Sequence, residues 1–160
     1  MKPGAKCVGP SCAVEMGSRR IDQVNVVVAD VAAAAAFLRQ LGVEIGDPGA
    51  EWGAHHLAVA SGEASFAVDL DSSAFARRWG GLPAGFTGVV VGVRVDSREE
   101  VDRLHAHATS LTATSLHAPY DAFWGSRFAV VQGPGPIAVG IMSMSETAHF
   151  SAPPELDKFT

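Results

Sequence analysis

Apolar and polar positions alternate along residues 21–28 (IDQVNVVV), placing Val24, Val26 and Val28 on one face and Ile21, Gln23, Asn25 and Val27 on the other. A period of two predicts a strand with one greasy face and one mixed face. Asp30 follows as an N-cap, and Ala34, Phe37, Leu38 and Leu41 recur at helical spacing until Gly42 ends the run as a C′ residue. Strand-like pieces come next at residues 43–45, 55–60 and 65–70, the last two joined by the turn Ser61-Gly62-Glu63-Ala64.

Beyond a glycine- and proline-rich joint at residues 80–88 the order returns. Val89, Val91, Val93 and Val95 share one face of a strand, and Val90, Gly92 and Arg94 share the other. Ser97-x-x-Glu100 forms a capping box ahead of a helix that packs Val101, Leu104 and Ala108. A loop containing Pro119 and Trp124 then leads to strands at residues 126–131 and 137–142, around the turn Gly133-Pro134-Gly135-Pro136.

Two copies of strand, helix and three strands predict an α+β fold of two tandem βαβββ modules, residues 21–79 and 88–143, with curved mixed sheets forming a cleft. Neither module buries both faces of its sheet alone. Superposing the caps Asp30 and Ser97 gives an offset of 67, which pairs Gln23 with Val90 and Asn25 with Gly92. Superposing the final hairpins gives 71, which pairs Asp69 with Gly140 and His56 with Arg127. Residues 1–20 are expected to be a disordered extension, and residues 144–160, with Pro153-Pro154, a tail that is either a partner-binding strap or disordered.

Composition narrows the function classes. A content of 48% hydrophobic and 18% charged residues is that of a globular protein, and 160 residues fill one core. The net charge of −5 argues against nucleic acid as partner, which calls for a basic stripe. No apolar run reaches the roughly 18 residues of a membrane span, and the start has no secretory apolar region. Cys7 and Cys12 both precede the fold, unlike a disulfide framework, so a reducing compartment, the cytoplasm, is expected.

Strand alternation aims Gln23, Asn25, His56, Asp69, Arg94 and Arg127 into the concavity. Arg94 interrupts a valine-rich strand and must meet a carboxylate, with Asp69 or Asp71 as candidates, or a ligand anion. Trp124 beside Arg127 either stacks on a planar ligand or plugs the open edge of the cleft. Trp52 and Trp79 are expected to cover the core from loops. His55 and His56 point to opposite faces of one strand, and His105 and His107 to different faces of a helix. His117, Tyr120 and Asp121 are placed at the cleft mouth.

In this order and spacing, residues 21–30 (IDQVNVVVAD), 37–42 (FLRQLG), 123–131 (FWGSRFAVV) and 139–142 (VGIM) resemble the vicinal oxygen chelate superfamily. That superfamily includes glyoxalase I, bleomycin-resistance proteins and extradiol dioxygenases. The resemblance runs from about residue 21 to residue 143. It implies up to four metal-ligand positions on the cleft face, here Gln23, Asp69, Val90 and Gly140. Gln and Asp offer oxygen to a hard divalent ion, whereas Val and Gly offer nothing, and a catalytic metal usually has about three protein ligands. His56 is the one neighbouring substitute. The turn at residues 133–137 departs from the acidic, Asn-containing turn of relatives. The resemblance therefore implies a metal-free protein binding a small molecule, such as a drug or natural product, as a homodimer. Its alternatives are a lyase, isomerase or dioxygenase with a divalent metal as cofactor, and a metal-free enzyme with Asp69 or His56 as general base.

Overall fold

A computed structural model describes residues 19–47, 53–60 and 66–152, and seven strands and three helices account for most of these described residues. Cys7, Cys12, Trp52, the turn at residues 61–64 and Pro153-Pro154 lie outside the described residues. The elements are β1 (Ile21–Val28), α1 (Val31–Gln40), β2 (His56–Val59), β3 (Ala67–Ser72), α2 (Ser73–Gly80), β4 (Gly88–Val95), α3 (Arg98–Leu111), β5 (Thr114–Asp121), β6 (Arg127–Gln132) and β7 (Ala138–Ser143). One mixed sheet runs in the order β2-β3-β1-β4-β7-β6-β5.

The repeat is written into the pairing. β1 runs parallel to β3 with Asn25 opposite Asp69, and β4 runs parallel to β7 with Gly92 opposite Gly140. Both offsets, 67 and 71, thus match the register at these positions. The modules join where β1 lies antiparallel to β4. In the first module the expected strand at residues 43–45 is reduced to one bridge, Ile45 to Val59. In the second its counterpart is the full strand β5, where a loop was expected. Pro119 is tolerated there because β5 is an edge strand and its register slips between His117 and Tyr120, so the missing N–H breaks no regular ladder.

Alternation assigns the two faces of the sheet. Val26, Val28, Leu57 and Leu70 pack beneath α1, while Val95, Ala129, Val131 and Ile141 pack beneath α3. Asp30 caps α1 by accepting from the Ala33 amide at 2.9 Å. The helix closes in a Schellman turn, Gly42 N–H to Arg39 and Val43 N–H to Leu38, with Gly42 at φ 82°. Its buried stripe is Val31 and Ala35, supported by Ala34 and Leu38. Phe37 and Leu41, expected inside, are 59% and 65% exposed. Ser97 caps α3, whose Val101, Leu104 and Ala108 face the core as expected.

The opposite face carries α2, which the sequence pattern did not predict. It is two turns long, capped by Ser72 accepting from the Phe75 amide and ended by Gly81 in the left-handed region. Ala76 packs there with Val27, Leu82, Val90 and Ala138. Residues 144–152 lie against the turn at residues 122–126. Glu146 N–H donates to Gly125, Ser151 N–H donates to Phe123, and Phe150 bridges Trp124. No described helix is long and apolar enough to cross a membrane.

Candidate functional site

Between α2, the turn at residues 122–126 and the α2-facing side of the sheet lies a cavity of about 430 Å³. Its location follows from the alternation of β1, β3, β4 and β7, whose alternate side chains face α2. Gln23, Asn25, His56, Asp69 and Asp71 line one end. Phe75, Trp79, Phe123, Trp124 and Phe128 form the wall, with Met142 and Val130 beside them.

The polar end is a chain of hydrogen bonds. His56 Nδ1 lies 2.6 Å from Asp71 Oδ1, and Asn25 Nδ2 donates to Asp71 Oδ2 at 2.8 Å. Gln23 Nε2 donates to Asn25 Oδ1 at 3.1 Å and to Asp69 Oδ2 at 2.9 Å. Asp69 Oδ1 is 3.9 Å from His56 Nε2, beyond hydrogen-bond reach, so the chain stops one contact short of closing. Both carboxylates are buried, Asp69 at 8% and Asp71 at 4% exposure. Phe75 stacks on the His56 ring at 5.2 Å, fixing its plane.

Burial pushes the Asp69 carboxyl above the ordinary carboxylate range. Asp71's charge adds to this, outweighing His56 and the Gln23 hydrogen bond. For His56 burial lowers the pKa, but the bond and charge of Asp71 and the charge of Asp69 prevail and raise it. An ionised Asp71 only accepts, so His56 Nδ1 carries the proton in that bond.

Glycines at the equivalent positions of the second module make the rest of the shape. A Cβ on Gly92 would sit 2.7 Å from the Cβ of Gln23, so only glycine lets Gln23 seat there. A Cβ on Gly140 would sit 3.0 Å from Phe128 Cε2, so the ring lies directly on that backbone. The wall continues by edge contacts, Trp124 to Phe128 at 5.7 Å and Trp79 to Trp124 at 5.7 Å.

Gln23, Asn25, His56, Asp69, Arg94 and Trp124 are thus brought to one cavity. Arg127 is not. Its guanidinium turns to the α3 side and pairs with Asp102 and Asp121, each at 2.9 Å. His56 and its partner Asp71 are fifteen positions apart, whereas the corresponding pair Phe128 and Met142 are fourteen apart. The counterpart of His56 is therefore Phe128, and a one-residue slip sends Arg127 to the other face. Arg94 does line the cavity, but its partners are Asp22 and the Ser143 carbonyl rather than Asp69 or Asp71. A register shift between Ile21 and Gln23 accompanies that pairing.

His117, Tyr120 and Asp121, expected at the mouth, sit on β5 and do not line the cavity. Tyr120 is half-buried, donating to the Trp79 carbonyl at 3.0 Å, and the loss of solvent around its hydroxyl pushes its pKa strongly up. Trp79 lies on α2, not on a loop, and belongs to the cavity wall. Asp71 was readable as a member of the polar end, being two residues after Asp69 on the same face. Phe75 and Phe128 carried no such local signal.

The four metal positions implied by the resemblance do not fit a metal. Val90 is packed in the core and the Phe128 ring covers Gly140, so only Gln23 and Asp69 of the four bring a donor atom, fewer than the about three protein ligands a catalytic metal usually has. Among the described residues no group of three or more His, Cys, Asp or Glu has the arrangement to hold an ion.

Residues 20–141 match the model of the Glyoxalase/Bleomycin resistance protein/Dioxygenase superfamily, and the chain belongs to that family. Similar solved structures include an NAD-dependent benzaldehyde dehydrogenase from Legionella pneumophila. It is 15% identical, covers 77% of this chain and 98% of that one, and has a TM-score of 0.56. Methylmalonyl-CoA epimerase from Mycobacterium tuberculosis is 15% identical over 80% of this chain and 89% of that one, with a TM-score of 0.54. The Mn(II)-bound glyoxalase from Novosphingobium aromaticivorans is 18% identical over 79% of this chain and 40% of that one, with a TM-score of 0.52. At these identities the likeness is one of fold. A search of curated proteins found no match.

Proposed function

We propose that this chain is a small-molecule binding protein of the bleomycin-resistance type that acts without a metal. Its cavity takes the planar, apolar body of a ligand such as a drug or natural product. The aromatic wall carries this reading. Phe75, Trp79, Phe123, Trp124 and Phe128 surround one space of about 430 Å³, within the range of small-molecule sites. Two tryptophans in the wall make occupancy readable by fluorescence. Titration with a panel of bicyclic and tricyclic aromatic compounds is expected to give saturable quenching, unchanged after EDTA treatment and after addition of Ni, Zn, Mn or Fe(II). A flat response across the panel would count against the reading, and a response that appears only with metal would favour the metal-dependent lyase, isomerase or dioxygenase.

A second reading has one observation in its favour. Asp71 holds His56 by Nδ1, which leaves Nε2 on the cavity side in the position of a general base. Under that reading His56→Gln abolishes turnover of a bound substrate while binding survives. Under pure sequestration there is no turnover to lose.

A further inference from the structure

Donors and acceptors at the polar end of the cavity do not balance. An ionised carboxylate only accepts, so the two aspartates dictate which way the amides face. Asn25 turns its nitrogen to Asp71, which leaves its oxygen for Gln23. Gln23 Nε2 then spends both hydrogens, one on Asn25 and one on Asp69. Two oxygen acceptors remain, Asp69 Oδ1 and Gln23 Oε1, neither with a hydrogen-bond partner among the described residues. Neither is among the buried, unpartnered side-chain atoms, which are Asp22 Oδ1 and Trp79 Nε1, so both acceptors keep open surface.

The charges are unbalanced in the same sense. Asp69 and Asp71 face His56 alone, and Arg94, the other cationic group lining the cavity, is tied to Asp22. Whether His56 is neutral or protonated, the acidic groups outnumber the basic ones. Aromatic faces adjoin this end, Phe75 against His56 and Phe128 across Gly140, and such faces attract cations.

We propose that the cavity selects an organic cation, a protonated amine or amidine on a planar apolar body. Its N–H groups bind Asp69 Oδ1 and Gln23 Oε1, and its rings lie among Phe128, Trp124 and Trp79. The proposal rests on the binding reading above and names the ligand class for the same site.

The test is calorimetric titration of the full chain at pH 7 with three probes of one shape: 2-naphthylmethylamine, 2-naphthylmethanol and 2-naphthoate. The amine is expected to bind at least ~10-fold tighter than the alcohol, and the carboxylate weakest, since a charge-assisted bond is roughly twice as strong as a neutral one. Asp69→Asn is expected to cost the amine at least ~10-fold while leaving the alcohol within about twofold. Alcohol binding as tightly as amine overturns the proposal and leaves the cavity reading standing. A loss in Asp69→Asn that is equal for both also overturns it, since geometry rather than charge is then responsible. If none of the three binds, the cavity reading fails and the proposal fails with it. The wild-type ranking decides the matter even if the variant does not fold.

Discussion

Replacing Asp71 by asparagine removes one charge and leaves the shape of the side chain, which isolates what that charge does. Asp71 Oδ1 accepts from His56 Nδ1 at 2.6 Å and Oδ2 accepts from Asn25 Nδ2 at 2.8 Å. An amide in its place offers one acceptor and one donor. The acceptor keeps Asn25, so the donor faces His56, whose ring must move its proton to Nε2 to accept. Two charge-assisted bonds become two neutral ones. With about 1.5–3 kcal/mol for the former and about 0.5–1.5 for the latter, the difference is about 1 kcal/mol per bond. The His56 side chain is 35% exposed, and solvent screening halves its share. The cost above the folded pKa of His56, where the ring is neutral, is therefore ~1.5 kcal/mol.

That cost grows in acid. The folded pKa of His56 lies above its ordinary 6.5, so its contribution to stability is fully present below pH 6.5 and is lost as pH rises through the folded value. In Asp71→Asn both contributions from Asp71 vanish while burial remains, and protonating the ring breaks its new bond, so the pKa falls. The stability gap between wild type and variant is thus smallest above the folded pKa of His56 and widens as pH drops through that value toward 6.5. Urea unfolding from pH 5.5 to 9 measures the gap, with the His56 Cε1 proton resonance reporting the pKa directly. Asp71's charge also helps hold the Asp69 pKa up, so the comparison is repeated in an Asp69→Asn background. A gap that stays flat, or narrows toward acid, would refute the reasoning.

Other substitutions probe the rest of the site. Gly140→Ala places a Cβ 3.0 Å from the Phe128 ring, which must tilt into the cavity; aromatic ligands should bind several-fold more weakly by calorimetry, at a stability cost of ~1 kcal/mol. Arg127→Ala removes largely solvent-screened ion pairs to Asp102 and Asp121; it should cost less than ~1 kcal/mol and leave ligand affinity unchanged, whereas Phe128→Ala should weaken binding at least ~10-fold in the same assay. Ser97→Ala removes the cap of α3 and should cost ~1 kcal/mol in thermal unfolding without altering affinity.

Which residues could be placed from the sequence, and which could not, follows from the range of the signal each one carries. The face of Gln23 and Asn25 on β1, or of Val90, Gly92 and Arg94 on β4, is a local property with a period of two, and these side chains line the cavity as expected. The partner of Arg94 is not local. The expected carboxylates were Asp69 and Asp71, but the contact goes to Asp22, inside the register shift between Ile21 and Gln23. The side of Arg127 is not local either, because it depends on a hairpin one residue shorter than its counterpart, and alternation read across that hairpin inverts. Helix α2 escaped for a different reason. Ser72 and Gly81 mark its ends, but two turns give too little periodicity to outweigh the glycine-rich joint that follows. Its omission cost the reading of Trp79 and Phe75, two of the five aromatic residues of the wall. Within one strand the sequence states which way a side chain points. Which side chains then meet depends on register between strands and on short capped helices, and the ligand-selecting end of this cavity is built from such meetings: His56 with Asp71 across the β2–β3 hairpin, and Gln23 with Asp69 across a parallel pair.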